Sequence, residues 1–205
     1  MNLKDRFFTL CDAYSSDLDL ILQSWNEIEN QYSKKGRFYH NLEHLEYMCK
    51  EIDDVKSQLK NIDTVLFSIY YHDIVYHTFS KLNEEKSSDW ANESLKKIGV
   101  SKGQINKVQQ QILATKKHLH TADLDTNYLL DADLSVLGKE ENMYNDYIKK
   151  IRKEYSIYPN FLYNPAREKV LLVLLEHNFI YKTDFFREKY ELLARENIER
   201  ELKLL

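Results

Sequence analysis

The stretch Ile69–Tyr76, IYYHDIVY, constrains this chain more than any other, because it sets His72 and Asp73 side by side in a run that is otherwise almost wholly apolar. Val65, Leu66, Phe67, Ile69, Tyr70, Ile74 and Val75 give the run the density of a buried helix. Taking a carboxylate out of water costs several kcal/mol unless it is paired or bound to a metal. Whatever fold the chain adopts must therefore bring a partner to this pair.

The rest of the pattern is helical. Gly (4) and Pro (2) are scarce among 205 residues, so tight turns are few, while Lys, Glu, Leu, Ile and Asn are plentiful. Amphipathic spacing predicts helices over 2–15 and 18–32, with a polar loop hinged at Gly36 after them. Leu42, Leu45, Met48, Cys49, Ile52, Val55 and Leu59 recur every three or four residues and mark the next helix, from Asn41. Asp63 or Thr64 is placed to cap the helix carrying His72 and Asp73. After a loop over 77–82, helices are expected over 84–98, stopped by Gly99, and from Lys102 to about His118, capped by Ser101. HLHTADLDT is expected as a loop, 127–137 as a short helix ending at Gly138, and 140–158 as a charged one. Pro159 and Pro165 bracket an expected loop, with Pro165 starting a helix to Glu176 before a last helix over 183–205. No stretch alternates as a strand. The expected fold is all-α, a single domain over residues 1–205 with roughly eight to ten helices.

Charge and hydropathy narrow the partners. The net charge is −4 with both signs mixed along the chain, and no basic stretch has the length of a duplex nucleic-acid footprint. Cys11 and Cys49 make no framework and no CxxC, which fits reduced thiols in a cytoplasmic protein. The opening MNLKDRFFTLCDAY lacks a signal-peptide core, and VLLVLL from Val170 is too short to span a bilayer. A soluble protein with no membrane partner is expected, and an exposed helix face leaves room for a homodimer.

Three constellations carry candidate chemistry. In YHNLEH, His40 and His44 are four apart and share one face if both are helical. In LLDADLSVLG, Asp131 and Asp133 sit among leucines, and at a spacing of two one of them must face away from the other. Each feature alone also fits a structural role: His44 as a core-edge residue, His72–Asp73 as a hydrogen-bonded buried pair, the aspartates as caps. Together, two histidines and two aspartates are a ligand set for a divalent cation, imidazole suiting Zn, Fe, Co, Ni or Mn and carboxylate Mn or Mg. The spacing is too irregular for a thiolate-rich structural zinc site.

The order His44, His72-Asp73, Asp131 resembles the H…HD…D motif of the HD superfamily of metal-dependent phosphohydrolases. RFYHNLEH, YYHDIVYH, NEEKS, ATKKH, LDADLSVLG and the closing YKTDFFREKYELLARENIERELKLL together are similar to a bacterial family of predicted HD phosphohydrolases without a settled substrate, over nearly the whole chain. YHNLEH also resembles the YHNxxH motif of cyclic-nucleotide phosphodiesterases, where the first His protonates the leaving oxygen and the second binds metal. The resemblance implies an HD-type helical bundle with metal ligands His44, His72, Asp73 and Asp131 and with His40 as the acid. It favours Asp131 over Asp133, since the first Asp of DAD is the ligand in many HD proteins. Those phosphodiesterases carry a further His four residues after the HD histidine; His77 stands five after His72, and that role is not carried over. His118 lies where some HD proteins bind a second metal or a phosphate, and Glu84 follows the HD pair like acidic positions of (p)ppGpp-hydrolysing HD enzymes. Arg37, Lys116 and Arg167 are candidate phosphate contacts.

The expected activity is metal-dependent hydrolysis of a small phosphate ester or nucleotide by a metal-activated water. Three alternatives stand beside it: a metal- or nucleotide-binding sensor without turnover, a di-iron HD oxygenase, and a helical structural protein with satisfied polar pairs.

Overall fold

Ten α-helices and two short 3-10 segments make up the regular structure of the computed structural model, which describes residues 1–205. In chain order they are α1 (Leu3–Asp12), α2 (Leu18–Tyr32), α3 (Leu42–Val55), α4 (Ile62–Tyr71), α5 (Asn83–Ile98), α6 (Lys102–Ala114), α7 (Leu124–Asp133), α8 (Glu141–Glu154), α9 (Asn160–Glu176) and α10 (Asp184–Leu202). The 3-10 segments are Lys56–Gln58 and Leu134–Gly138. No strand is present, so the all-helical expectation holds. No helix is long and apolar enough to cross a membrane.

The apolar run around the His-Asp pair becomes α4, and every residue from Thr64 to Tyr71 is buried. It packs against α3, α5, α6 and α7, which places it at the centre of the bundle. A helix without a polar face has no alternative to burial on all sides. Asn61 caps it, accepting a hydrogen bond from the Thr64 N–H at 3.1 Å; Asp63 and Thr64, the expected caps, lie within its first turn. The helix also ends earlier than its apolar run. The His72 N–H still donates to Ser68 at 2.8 Å, and the chain then turns, so His72 is the C-cap and Asp73 lies in the turn. This end position lets adjacent side chains converge on one point.

α7 is buried over Asp125–Ala132 and ties the bundle together through its acids. Asp125 accepts from the Lys60 and Asn61 N–H groups at 2.9 and 2.8 Å and so holds the start of α4. Asp131 does the same for α10: its carboxylate accepts from the Lys182 and Thr183 N–H groups at 2.7 and 2.8 Å and from the Thr183 hydroxyl at 2.7 Å.

Some boundaries differ from expectation. α7 begins at Leu124, with Asp123 as its cap, and gives way to a 3-10 segment after Asp133. α9 begins at Asn160 after Pro159, so Pro165 lies inside a helix and not at its start. Gly99 adopts φ +94° and stops α5 as expected, its N–H bonding back to Leu95 and Lys96.

Candidate metal centre

Three elements bring the cluster together. Asn41 caps α3 by accepting from the N–H groups of Glu43 (2.9 Å) and His44 (3.3 Å), which fixes His44 in the first turn with its side chain facing inward. The end of α4 supplies His72 and Asp73. The end of α7 supplies Asp133. One ligating atom each from His44, His72 and Asp133 lie within 4.8 Å of one another. Asp73 joins them, its Oδ2 3.3 Å from His72 Nε2.

The decisive detail is the state of the imidazole nitrogens. His72 donates through Nδ1 to the Ile69 carbonyl at 2.9 Å, which leaves Nε2 as the nitrogen turned towards the cluster, where a cation would displace its proton. Nε2 of His72 and Nε2 of His44 are both buried, and neither has a hydrogen-bond partner. His44 Nε2 is 3.1 Å from Asp133 Oδ1, yet the approach lacks hydrogen-bond geometry. The atoms point at a common space instead of at each other. Orphaned buried polar atoms of this kind are rare in a folded chain and call for an explanation such as an ion.

The electrostatics favour a cation in that space. Burial pushes the Asp73 carboxyl up, but the neighbouring His72 and His40 outweigh it and hold the group well below the usual carboxylate range. Burial likewise opposes ionisation of Asp133, and the hydrogen bond with His118, together with the adjacent His44 and His72 imidazoles, overcomes it. Burial lowers His72, and the two carboxylates reverse this and raise it to about 9. Burial keeps His44 below its ordinary value, in the neutral form that binds metals. Two anionic carboxylates and two imidazoles fit a first-row divalent cation. Cys11 and Cys49 are buried elsewhere as free thiols.

The structure sets Asp133 in the cluster, and not Asp131, the aspartate expected as ligand. Asp131 is fully buried, and its two oxygens already accept three hydrogen bonds at the start of α10. His118 does reach the site: its Nε2 is 2.8 Å from Asp133 Oδ2. Its backbone adopts φ +49°, a left-handed conformation that is uncommon for histidine.

His40 lies outside α3, in the segment before its cap, so the shared helix face expected for His40 and His44 does not exist. It approaches the cluster by another route. His40 Nδ1 is 2.6 Å from Glu154 Oε2, and its Nε2 points towards Asp73 Oδ2 at 3.9 Å. Glu154, a buried carboxylate at the end of α8, also accepts from the N–H groups of Tyr39 and His40 and from the Tyr76 hydroxyl. The ring of Tyr76 stacks on His40 with centroids 4.2 Å apart. Burial opposes a proton on His40, and Glu154 more than restores it, raising the imidazole above its ordinary value. Glu154 was missed from the sequence. Its visible signal was an acid in the last turn of a helix, where the macrodipole disfavours one.

A cleft of about 290 Å³ opens over the cluster, lined by His40, His72, Asp73, Glu84, His118 and Asp133 among others. Glu84 faces it from the first turn of α5, 3.6 Å from Lys116. The expected phosphate contacts are engaged elsewhere. Arg37 spends its guanidinium on the carbonyls of His40, Asp73 and Ile74 at 3.1, 2.7 and 2.9 Å, clamping the His40 segment onto the His72–Asp73 turn. Lys116 donates to the Lys81 carbonyl and to Glu85. Arg167 is buried in a two-pronged pair with Glu201. Comparison with family models, curated proteins and solved structures returned no match for this chain.

Proposed function

We propose that this protein is a metal-dependent phosphohydrolase of the HD type, acting on a small phosphate ester or nucleotide. The observation that carries the proposal is the pair of buried, unpartnered imidazole nitrogens converging with Asp133 and Asp73 beside an open cleft that His72, Asp73 and Asp133 line. His44, His72, Asp73 and Asp133 would hold the cation. When bound, such an ion supplies Lewis acidity, which acidifies water and draws charge from a phosphoryl oxygen.

The chain's own residues supply the rest. Glu154 fixes the His40 ring through Nδ1, so the proton available for transfer is on Nε2, facing the cleft. An imidazolium held this way can protonate a departing alkoxide, a contribution of about 10²–10⁴-fold in general acid catalysis. His118 hydrogen-bonds the Asp133 oxygen that is turned away from His44 and so orients that ligand. Tyr39, Tyr76 and Tyr147 wall the cleft and limit water around the reacting groups.

The test is elemental mass spectrometry on wild type, Asp73→Ala and Asp133→Ala purified without chelator, followed by a phosphate-ester panel. Near-stoichiometric transition metal in wild type, lost in both variants together with turnover, is the expected result. Turnover retained by Asp73→Ala would sink the proposal. Two metals per chain would bring His118 and Glu84 in as further ligands and favour dinuclear chemistry.

A further inference from the structure

The outer face of α9 is apolar. Of this helix only Tyr163 and Leu171 are buried, and α10 is its main neighbour. Each residue adds about 100° of rotation, so Tyr163, Arg167, Leu171 and Leu174 form the inner stripe. On the opposite side Phe161, Leu162, Val170, Leu172 and Val173 are 75, 52, 53, 44 and 44% exposed. The solvent face of a surface helix is ordinarily polar or charged. No residue of α9 lines the cleft over the cluster, so a substrate seated there does not account for this face.

Two charges stand near the middle of the face, Lys169 and Glu176, two turns apart. Three and four positions from Lys169 lie Pro165, Ala166, Leu172 and Val173, and Glu176 follows Leu172 and Val173 at the same spacings. Neither charge therefore meets an opposite one on its own helix. A second copy of the chain supplies it. Antiparallel packing of two α9 helices about a two-fold axis between Leu172 and Val173 sets Lys169 beside the partner's Glu176, and Glu176 beside the partner's Lys169. The same axis brings Leu172 against the partner's Leu172 and Val173 against the partner's Val173. Phe161 and Leu162 then run past the end of the partner's α9, towards the segment carrying its Phe179, a ring 53% exposed.

The area is of the right size. The five apolar side chains expose roughly 300–400 Å². That is most of the apolar share of one side of a standard interface, which takes about 800 Å² from each partner with somewhat over half of it apolar. With Glu168 and Glu176 beside a single Lys169, the face lacks the basic residues that an anionic lipid surface selects.

We propose that α9 is the interface of a two-fold symmetric dimer of this chain, with Leu172 and Val173 at its centre and reciprocal Lys169–Glu176 pairs on either side. The proposal draws on nothing in the metal cluster, and either reading can fail while the other stands.

The experiment is sedimentation equilibrium of the whole chain over a dilution series. A reversible monomer–dimer equilibrium is expected in wild type. Leu172→Asp, an exposed position, should weaken it about tenfold or more. Lys169→Glu and Glu176→Lys, each of which sets like charges together twice, should weaken it about fivefold. The double variant Lys169→Glu/Glu176→Lys restores the pairs with reversed sign and should regain the wild-type affinity. A chain that stays monomeric at every concentration overturns the proposal, as does a dimer that Leu172→Asp leaves equally tight. A double variant that dimerises no better than the single ones overturns the register. Monomer that floats with lipid vesicles, neutral or anionic, would assign the face to a membrane surface and not to a second copy.

Discussion

Asp131 and Asp133 leave α7 about 200° apart, since each helical residue adds about 100°. Sequence could say that they part company but not which way each faces. Both lie among apolar neighbours, and the segment that claims Asp131, Lys182–Thr183, is some fifty residues away in sequence. The family resemblance favoured Asp131, and the tertiary contacts bring Asp133 to the cluster instead. The two should respond oppositely to substitution. Asp131→Asn leaves fewer acceptors for three buried donors and should cost about 1–3 kcal/mol of stability while sparing the metal. Asp133→Asn should lose the metal and leave the urea midpoint of the chelated protein nearly unchanged. Urea denaturation and elemental analysis of the two variants side by side decide it. Glu154 has its own signature. Glu154→Gln keeps an acceptor for the Tyr39 and His40 N–H groups but removes the charge that holds the His40 proton. Turnover should fall by about 10²-fold with metal content intact, as for loss of a general acid; lost metal would make Glu154 a structural residue instead.

At the scale of elements, helices were legible and their ends were not. Apolar periodicity located all the helices that build the cluster, because burial on one face is written in the spacing. Ends depend on single hydrogen bonds and on what lies opposite. The cap of α4 fell on Asn61 because Asp125 of α7 pins the two N–H groups just before that helix, a contact between distant segments. Asn41 caps α3 between the proposed acid and a proposed ligand. Asn41→Ala should cost about 0.5–2 kcal/mol and weaken metal affinity as His44 loosens, whereas Asn41→Asp should preserve both, as read by thermal melts with and without added cation. Gly138 looked like a helix stop, and the structure gives a packing reason. A Cβ there would run into Tyr190 Cβ and lie 2.8 Å from the Tyr190 carbonyl, so the 3-10 segment and α10 meet backbone to backbone. Gly138→Ala must push them apart, at about 1–3 kcal/mol, measurable as a lower urea midpoint.

At the scale of the whole molecule, the elements that carry the cluster are held together by a charge network two turns further along α3 from His44. Glu51 of α3 accepts from Lys139 just beyond the 3-10 segment, and from Lys189 (2.9 Å) and the Tyr190 hydroxyl (2.7 Å) of α10. The network links the helix bearing His44 to the segment following Asp133. Burial alone would push the Glu51 carboxyl up. The hydrogen bonds from Lys139, Lys189 and Tyr190 win, and the group sits below its ordinary value. A folded-state pKa below the unfolded one adds stability that is fully present above the unfolded value, about 4.3 for Glu. That stability is lost as pH falls through the folded value. Glu51→Gln should therefore lower the unfolding free energy by about 1–3 kcal/mol at pH 7, with the gap from wild type narrowing once the pH drops below about 4.3. Urea is the denaturant to use, because guanidinium chloride screens the charges under test. A gap that stays constant down to pH 3 would assign the contribution of Glu51 to its shape and neutral hydrogen bonds, and would remove charge from the forces that hold α3 against α10.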